Sequence, residues 1–571
     1  MAGHGLRSVR PPCSSVLLFS LSFVRCASVE FALGVLAGNP QLHATAAAAF
    51  IDYQKNFNAS LTARLGPPII EIPGGVHPNA SMGAISLSMK DDGDSDKTGM
   101  SEALNLLLGL EGNAPVIGLI ASLDPVATLT GVRQIPQVSC YAEGPKLSNK
   151  KEYPFFVRTT PPDSFLATAI WHWVVHFNVP AAACVYSDEG YGQSLFGSLN
   201  DLARANGQQD RIQGQGLGRM SLLDFNAEQA REVAQLVKRI GSHFVVLLIH
   251  VAFAGGFFNV LEQEGMVTPA WQILSTDTFQ ADAGRKVGYM YLRPSGEGAK
   301  APELRQLWSW LSPHDMEATN QMQLPAGLVG DEMFDEGAVF DPIAFCNFDS
   351  VYAYFIAINN LLHSGVDASE VRGRALLDEM SRLGFNGVSG DMSFDRNGDR
   401  LGAFEFLNVQ SDGNIASVAS FSAKTLNFTV TAPLTWMDGS VGYFPPPDMY
   451  SCDPGFYQEE QTRQCKICPQ GNFCEGGLTA PLMPCPRGTF APDVGMTNCT
   501  ACPNGSFALD AGSAACVACQ PGTEGPSEGM ELCRSCEVGF YMPSSRSSQC
   551  LPCGQNQITR GLLGFRVLGS G

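Results

Sequence analysis

Val116-Ile-Gly-Leu-Ile-Ala-Ser-Leu-Asp-Pro125 passes from a run of apolar and glycine positions to a small polar residue, an acid and a proline. Asp124 followed by Pro125 reads as the start of a helix. The acid is placed as N-cap and the proline at the first helical position, where its missing N–H costs nothing. A strand that feeds a helix through so short a turn is half of a βαβ unit. Downstream, Ile135–Cys140 reads as the next strand. Ser164–Phe177 is a helix, Ala181–Tyr186 a strand, and Ser187-Asp-Glu-Gly-Tyr-Gly192 opens another helix. In such sheets ligands collect at the carboxyl ends of strands, beside helix N-termini.

The same alternation extends in both directions. Strands are predicted at Glu30–Leu36, Ala84–Met89, Phe244–Ile249 and Trp271–Ser275. Helices are predicted at Thr45–Phe57, Thr98–Leu110, Leu195–Asn206, Ala227–Ile240, Phe257–Glu264, Asp349–Leu362 and Arg374–Leu383. Elements of these lengths in this order imply an α/β fold of doubly wound parallel sheets. Two acidic stretches, Asp91–Asp96 and Phe394–Asp399, carry the Asp/Gly alternation of calcium loops. The first also reads as a polar turn with a helix cap. The second reads as a hairpin whose Asn397-Gly398 supplies positive φ angles.

The chain has 571 residues, enough for several domains, with 36 basic against 55 acidic side chains and a net charge of −19. That balance argues against nucleic acid or an anionic membrane surface as partner. Near the N-terminus, Arg7 and Arg10 precede the apolar run Val16–Val24, and Cys26-Ala-Ser28 offers small residues at the cleavage positions. Residues 1–28 read as a secretory signal peptide, a buried first helix being the alternative. Sequons at Asn58, Asn79, Asn427, Asn498 and Asn504 are candidate glycosylation sites. No run approaches the ~18–20 apolar residues of a membrane span. The longest candidate, Phe244–Phe258, is broken by His250 and Gly255-Gly256 and reads as a buried strand with the loop after it.

Of 18 cysteines, 13 lie between Cys452 and Cys553. From Cys468 they recur every 17 residues, at 468, 485, 502, 519, 536 and 553, and a second series at 499, 516, 533 and 550 runs three residues ahead. Pro-x-Gly and an aromatic follow several of them, as in Cys485-Pro-Arg-Gly-Thr-Phe490. So regular a repeat with so few apolar residues cannot build an ordinary core. Disulfides among Cys452, Cys465, Cys468, Cys474, Cys485, Cys499, Cys502, Cys516, Cys519, Cys533, Cys536 and Cys550 are expected to hold stacked rungs. The Cys-x-x-Cys pairs leave zinc as an alternative. Pairing across 14 residues, such as Cys485 with Cys499, fits the repeat but is not deducible from it. Cys553 begins a rung whose partner would stand near residue 567, where there is none. The irregular tail 554–571 therefore reads as the end of a fragment or as a mispredicted gene end, and a longer protein would continue through more rungs into a membrane domain. Cys140, Cys184 and Cys346 sit in apolar surroundings and read as buried thiols, a bridge within one pair being the alternative.

Several segments together resemble the receptor version of the type I periplasmic-binding-protein fold, found in class C G-protein-coupled receptors, glutamate receptors and natriuretic-peptide receptors. They are Val116–Ser122, Ile135-Pro-Gln-Val-Ser139, Pro145-Lys-Leu-Ser148, Tyr153-Pro-Phe-Phe-Val-Arg158, Pro162-Asp163, Tyr191-Gly192, Glu264-Gly-Met266, Thr276-Asp277, Phe385–Gly390 and Phe394–Asp399. The resemblance covers about 29–443. It implies two lobes, 29–158 with 290–375 and 162–285 with 385–425, joined by three hinge strands around a ligand cleft. Gly288–Arg293 would cross between them. The 452–553 repeats resemble ephrin-receptor-like and growth-factor-receptor-type cysteine-rich modules.

The resemblance also implies a site. Ser122 falls at or beside the residue that holds a ligand carboxylate. Asp163 and Asp277 fall on acids that hold an ammonium, Tyr191 on a covering aromatic, and Glu143 where a threonine often stands. With Asp124, these acids make an acidic mouth suited to an amine or cationic amino acid. Asp124 and Asp163 could alternatively only cap their helices. Arg158 is read as a hinge ion-pair residue and Trp271 as a core aromatic. The expected function is the extracellular ligand-binding region of a cell-surface receptor, most simply class C-like, dimeric through lobe 1 and without cofactor or catalytic activity. The alternatives are the ectodomain of a receptor cyclase or kinase, or a secreted binding or adhesion protein. No nucleophile elbow, zinc-protease histidine motif or phosphate loop is present.

Overall fold

In the computed structural model the stretch after Pro115 is a strand over Gly118–Ala121, and the side chains around it show why the glycine stands there. The structure describes residues 31–567 except 38–39, 81–83, 92–95, 111–114, 189, 219–224, 277–285, 312–321, 324–341, 555–556 and 560–564. The signal-peptide reading, most of the Asp91–Asp96 cluster and Asp277 lie outside the described residues.

The first sheet contains β1 (Phe31–Leu36), β2 (Ile85–Lys90), β3 (Gly118–Ala121), β4 (Gln137–Ser139) and β5 (Phe156–Arg158), all parallel, in the order β2-β1-β3-β4-β5. Its helices are α1 (Pro40–Lys55), α2 (Ala59–Leu65), α3 (Asp96–Leu108) and α4 (Asp124–Arg133). The period-2 pattern of β1 divides its faces. Phe31, Leu33 and Val35 join one core with α1, whereas Ala32 and Leu36 join another with α3.

The second sheet starts after α5 (Asp163–His176). It takes β6 (Ala182–Tyr186), β7 (Ile212–Gly216), β8 (Phe244–Leu248), β9 (Gln272–Thr276) and β10 (Met290–Pro294), with α6 (Gly190–Ala205), α7 (Ala227–Arg239) and α8 (Val251–Gln263) between them. Its two faces bury Cys184 and Val246 against α5 and α6, and Ala183 and Val245 against α7 and α8. The apolar run Phe244–Phe258 is thus a strand and most of a helix, not a strand and a loop. Nor does Gly288–Arg293 cross between lobes. β10 pairs with β9 in parallel, so the crossing comes after Pro294.

The chain returns to the first unit as α9 (Ala301–Trp310), the two-residue β11 (Met322–Gln323) beside β2, α10 (Pro342–His363) and α11 (Gly373–Met380). The expected helix start at Asp349 falls inside α10. On this long apolar helix, Tyr354 reaches between strands: its hydroxyl donates to Pro136 O (2.6 Å) and accepts from the Leu119 amide (3.0 Å). A Cβ on Gly118 would stand 2.3 Å from the Tyr354 ring, so the glycine of the opening run makes room for it.

After the hairpin β12 (Gly384–Gly387) and β13 (Gly390–Ser393), the chain crosses again and adds β14 (Ala403–Val409), β15 (Ile415–Ser422) and β16 (Asn427–Val430) antiparallel beyond β10. Between β13 and β14 lies a turn bonded through Asp395, whose carboxylate accepts the Asn397 and Asp399 amides. Only Gly398 of the Asn397-Gly398 pair has positive φ.

Three crossings therefore join two separately packed units, at 158–163, 294–301 and 399–403, and a buried polar lattice ties them. Arg158, wholly buried, bonds Asp399 through Nε at 2.6 Å and the carbonyls of Ala142 and Gly144 at 3.0 Å. Arg400 donates to Thr159 O and Ser389 O. Asp349 accepts the Val388 and Ser389 amides. Burial raises its carboxyl above the ordinary value, while its hydrogen bonds and Arg400 oppose the rise. A Cβ on Gly402 would meet the Pro161 ring at 2.4 Å, so two crossing strands pass in contact.

From Cys452 the fold is a rod of two-stranded hairpins. Disulfides join Cys485–Cys499, Cys502–Cys516, Cys519–Cys533 and Cys536–Cys550, each across 14 residues, with Cys452–Cys465 and Cys468–Cys474 closing the first rungs. The Cys-x-x-Cys pairs are therefore split between neighbouring rungs and hold no zinc geometry. Cys553 is not disulfide-bonded. Its amide nonetheless donates to Gly539 O, as Cys536 donates to Gly522 O one rung earlier.

Candidate functional site

The first sheet ends at Ser122, Cys140 and Arg158, the second at Ser187, Ile249 and Thr276. The predicted site residues distribute over these two edges. Ser122 is half-buried directly after β3. The first residue of α4 is Asp124, with Leu123 as an N-cap that offers no side-chain bond. Asp124 therefore sits one place inside the helix, and Lys146 Nζ lies 2.7 Å from its carboxylate. That exposed partner offsets part of its charge at the expected acidic mouth.

Glu143 and Asp163 do come together. The Asp163 amide donates to Glu143 O at 3.1 Å, and the Thr160 hydroxyl donates to Glu143 Oε1 at 3.1 Å. Glu143 belongs to the loop after β4 in the first unit. Asp163 is the first residue of α5, which packs in the second, and is 3% exposed. One backbone hydrogen bond thus links the two units at these residues, at the N-terminal end of α5.

The loop that carries Glu143 is shaped by Ser139, whose Oγ accepts the amides of Tyr141 (3.2 Å) and Ala142 (2.9 Å). Tyr141 is 59% exposed at this strand end, an aromatic that the sequence reading passed over. A tyrosine directly after the apolar run Ile135–Cys140 was its signal.

On the second edge, Tyr191 stands in the first turn of α6 and is half-buried. Gly192 fixes that turn: a Cβ there would lie 2.4 Å from Ser187 O. Ser187, also missed, is buried and accepts the His250 amide through Oγ at 3.0 Å, joining the ends of β6 and β8. Its position after an apolar strand matched that of Ser122 and could have been read in the same way. Trp271 is 7% exposed in the core of the second unit, where it was expected. Among the described residues no cluster of His, Cys, Asp and Glu is arranged to hold a metal, and no helix is long and apolar enough to cross a membrane.

Two parallel-sheet units joined by three crossing segments form a bilobed domain. Residues 77–412 match the receptor family ligand binding region, and the chain belongs to that family. Residues 522–562 match the region described as tyrosine-protein kinase ephrin type A/B receptor-like, in agreement with the disulfide rod. The chain is 24% identical over 312 residues to metabotropic glutamate receptor-like protein E of Dictyostelium discoideum. That alignment takes in 52% of this chain and 35% of the relative, so the chain spans about a third of the length of the curated relative it matches.

Proposed function

We propose that the chain is the extracellular part of a class C-type receptor that closes its two lobes on a small amine or amino-acid-like ligand. The observation that carries this reading is the Glu143–Asp163 link. A backbone hydrogen bond there joins two acidic residues, one from each lobe, which supports a shared acidic site. An ammonium held there would draw on both lobes, and so favour the closed arrangement by differential affinity. Ser122, beside the N-terminus of α4, would take a carboxylate, Tyr191 would cover the ligand, and Asp277 would add a third acid.

Closure would be passed on through the cysteine-rich rod. Entry into the secretory pathway through residues 1–28, glycans on Asn58, Asn79, Asn427, Asn498 and Asn504, and pairing of receptors through lobe 1 belong to the same reading. All five asparagines are exposed, and Leu104 and Val132 are exposed apolar residues on α3 and α4.

Isothermal calorimetry on the secreted chain tests the ligand class, with glutamate, arginine, glycine and a simple monoamine as probes. Heat from the cationic compounds and none from glutamate is expected; tighter binding of glutamate than of any amine rejects the acidic-site reading. The second reading, a secreted binding protein without signalling, gains if a ligand binds while small-angle scattering detects no change in shape.

A further inference from the structure

We propose that Cys140 and Cys346 form a seventh disulfide, within the first lobe, which fixes the strand-end loop carrying Glu143 to helix α10. Cys140 is the first residue after β4 and Cys346 lies near the start of α10; each is 6% exposed. They are 206 residues apart in sequence, yet the Cys346 thiol points at the Cys140 carbonyl with Sγ 3.5 Å from its oxygen, and the two thiol groups are themselves in hydrogen-bonding contact. The third buried cysteine, Cys184, offers a contrast. It packs in the core of the second lobe, where its thiol donates to the Ala182 carbonyl two residues back.

The compartment and the geometry favour a bond, and burial of the thiols bears on when it forms. The rod of the same chain holds six disulfides, so the chain matures where thiols are oxidised. Burial pushes the Cys140 thiol well above its ordinary range, and the neighbouring Cys346 adds to the rise. Such a pair is poorly suited to act as exposed thiolates. It can still be oxidised early in folding, before the lobe closes over it, after which burial protects the product from exchange. Finally, the pair lies against the first crossing strand. Thr159 Oγ1 is 3.2 Å from Cys346 Sγ and 2.6 Å from Ser350 Oγ, and the Thr159 amide donates to Ser139 O.

In the reaction both S–H bonds break and one S–S bond forms. Two protons leave, and two electrons pass to the disulfide of a thiol oxidoreductase, which becomes a dithiol. The consequence is mechanical: the loop from Cys140 to Gly144, which supplies Glu143 and two carbonyls to Arg158, would be covalently anchored to the longest helix of its lobe.

Peptide mapping of the full secreted chain tests this, with thiols blocked by N-ethylmaleimide under denaturing, non-reducing conditions before digestion. The expected result is a Cys140–Cys346 linked peptide two hydrogens lighter than its parts, with Cys184 labelled. Label on both Cys140 and Cys346, or a link from either to another cysteine, overturns the proposal. Cys140→Ser and Cys346→Ser supply a second measurement. Each should expose the other thiol to labelling and lower the melting midpoint, and the double variant should fall no further. Additive losses overturn it.

Discussion

Glu143 and Asp163, joined through their backbones across the two lobes, are the acids on which the proposed site depends. If their carboxylates hold a cationic ligand, Glu143→Gln and Asp163→Asn should each weaken it by about 10- to 100-fold, the scale of one charge-assisted hydrogen bond. Melting of the unliganded chain should change little for Glu143→Gln, because Gln keeps an acceptor for Thr160. Calorimetry and thermal melts on the same preparations separate the two effects. Arg158 belongs to a different class. Its guanidinium is spent on Asp399, two carbonyls and Ser148, all inside the protein. Asp399→Asn should cost about 3–5 kcal/mol in urea unfolding, because it leaves a buried cation without its counter-charge.

Lys150 gives the pH dependence of the same neighbourhood. Its ammonium donates to Leu147 O and Phe156 O, yet burial, with Arg158 nearby, lowers it from the usual 10.5 to about 8, the acids Asp399 and Asp395 opposing. The unfolded chain then holds the proton more tightly than the folded one. Below pH 8 both states carry it and the full penalty is present. Between pH 8 and 10.5 the folded state alone releases it, and stability rises with pH by up to about 3 kcal/mol. Unfolding free energies at pH 7.5 and 9.5 should show this rise in the wild type and lose it in Lys150→Met. Equal slopes in both would assign the rise elsewhere.

At the scale of elements, the rod repeats one solution. Gly471, Gly488 and Gly505 each have φ of +79°, and a Cβ on Gly488 would stand 2.2 Å from Gly529 O in a later rung. Both the backbone angle and the close stacking demand glycine. Gly488→Ala should open the 485–529 rungs, seen as faster protease cleavage there with the bilobed domain unchanged. The 17-residue period made this element legible, since register, glycine and disulfide span all recur in the sequence. The parallel strands were legible for a similar reason: apolar runs ended in Ser or Asp before helix starts. What stayed hidden depended on partners far along the chain. Lys146 beside Asp124, Asp163 beside Glu143 and β10 beside β9 rather than at a crossing have no local signature. The misread half of Phe244–Phe258 had a local cause, because Gly255-Gly256 suggested a loop in what α8 keeps helical.

For the whole molecule, the question is which lobe carries the rod. Among the described residues, the first rung's side-chain bonds to the bilobed domain go to the second lobe. Tyr450 donates to Phe177 O (2.7 Å), and Gln464 donates to Pro180 O (3.0 Å) and Asp210 O (2.9 Å). His243 Nε2 meets Asp453 Oδ1 at 3.2 Å. Gly241 completes the seam, since a Cβ there would lie 2.9 Å from the Phe456 ring. These contacts gather at the starts of β6 and β8, the opposite edge of the sheet from Ser187 and Tyr191. A ligand at one edge and a rod at the other would then share one rigid body, and any movement of the second lobe would swing the rod with it. Gln464→Ala with Tyr450→Phe removes three of these bonds without touching the ligand edge. Amide exchange should accelerate at 177–182 and 449–465 in that variant, while the ligand affinity measured by calorimetry stays within about twofold. Unchanged exchange at the seam would mean that the rod is held by the chain connection alone, and that lobe motion reaches it loosely.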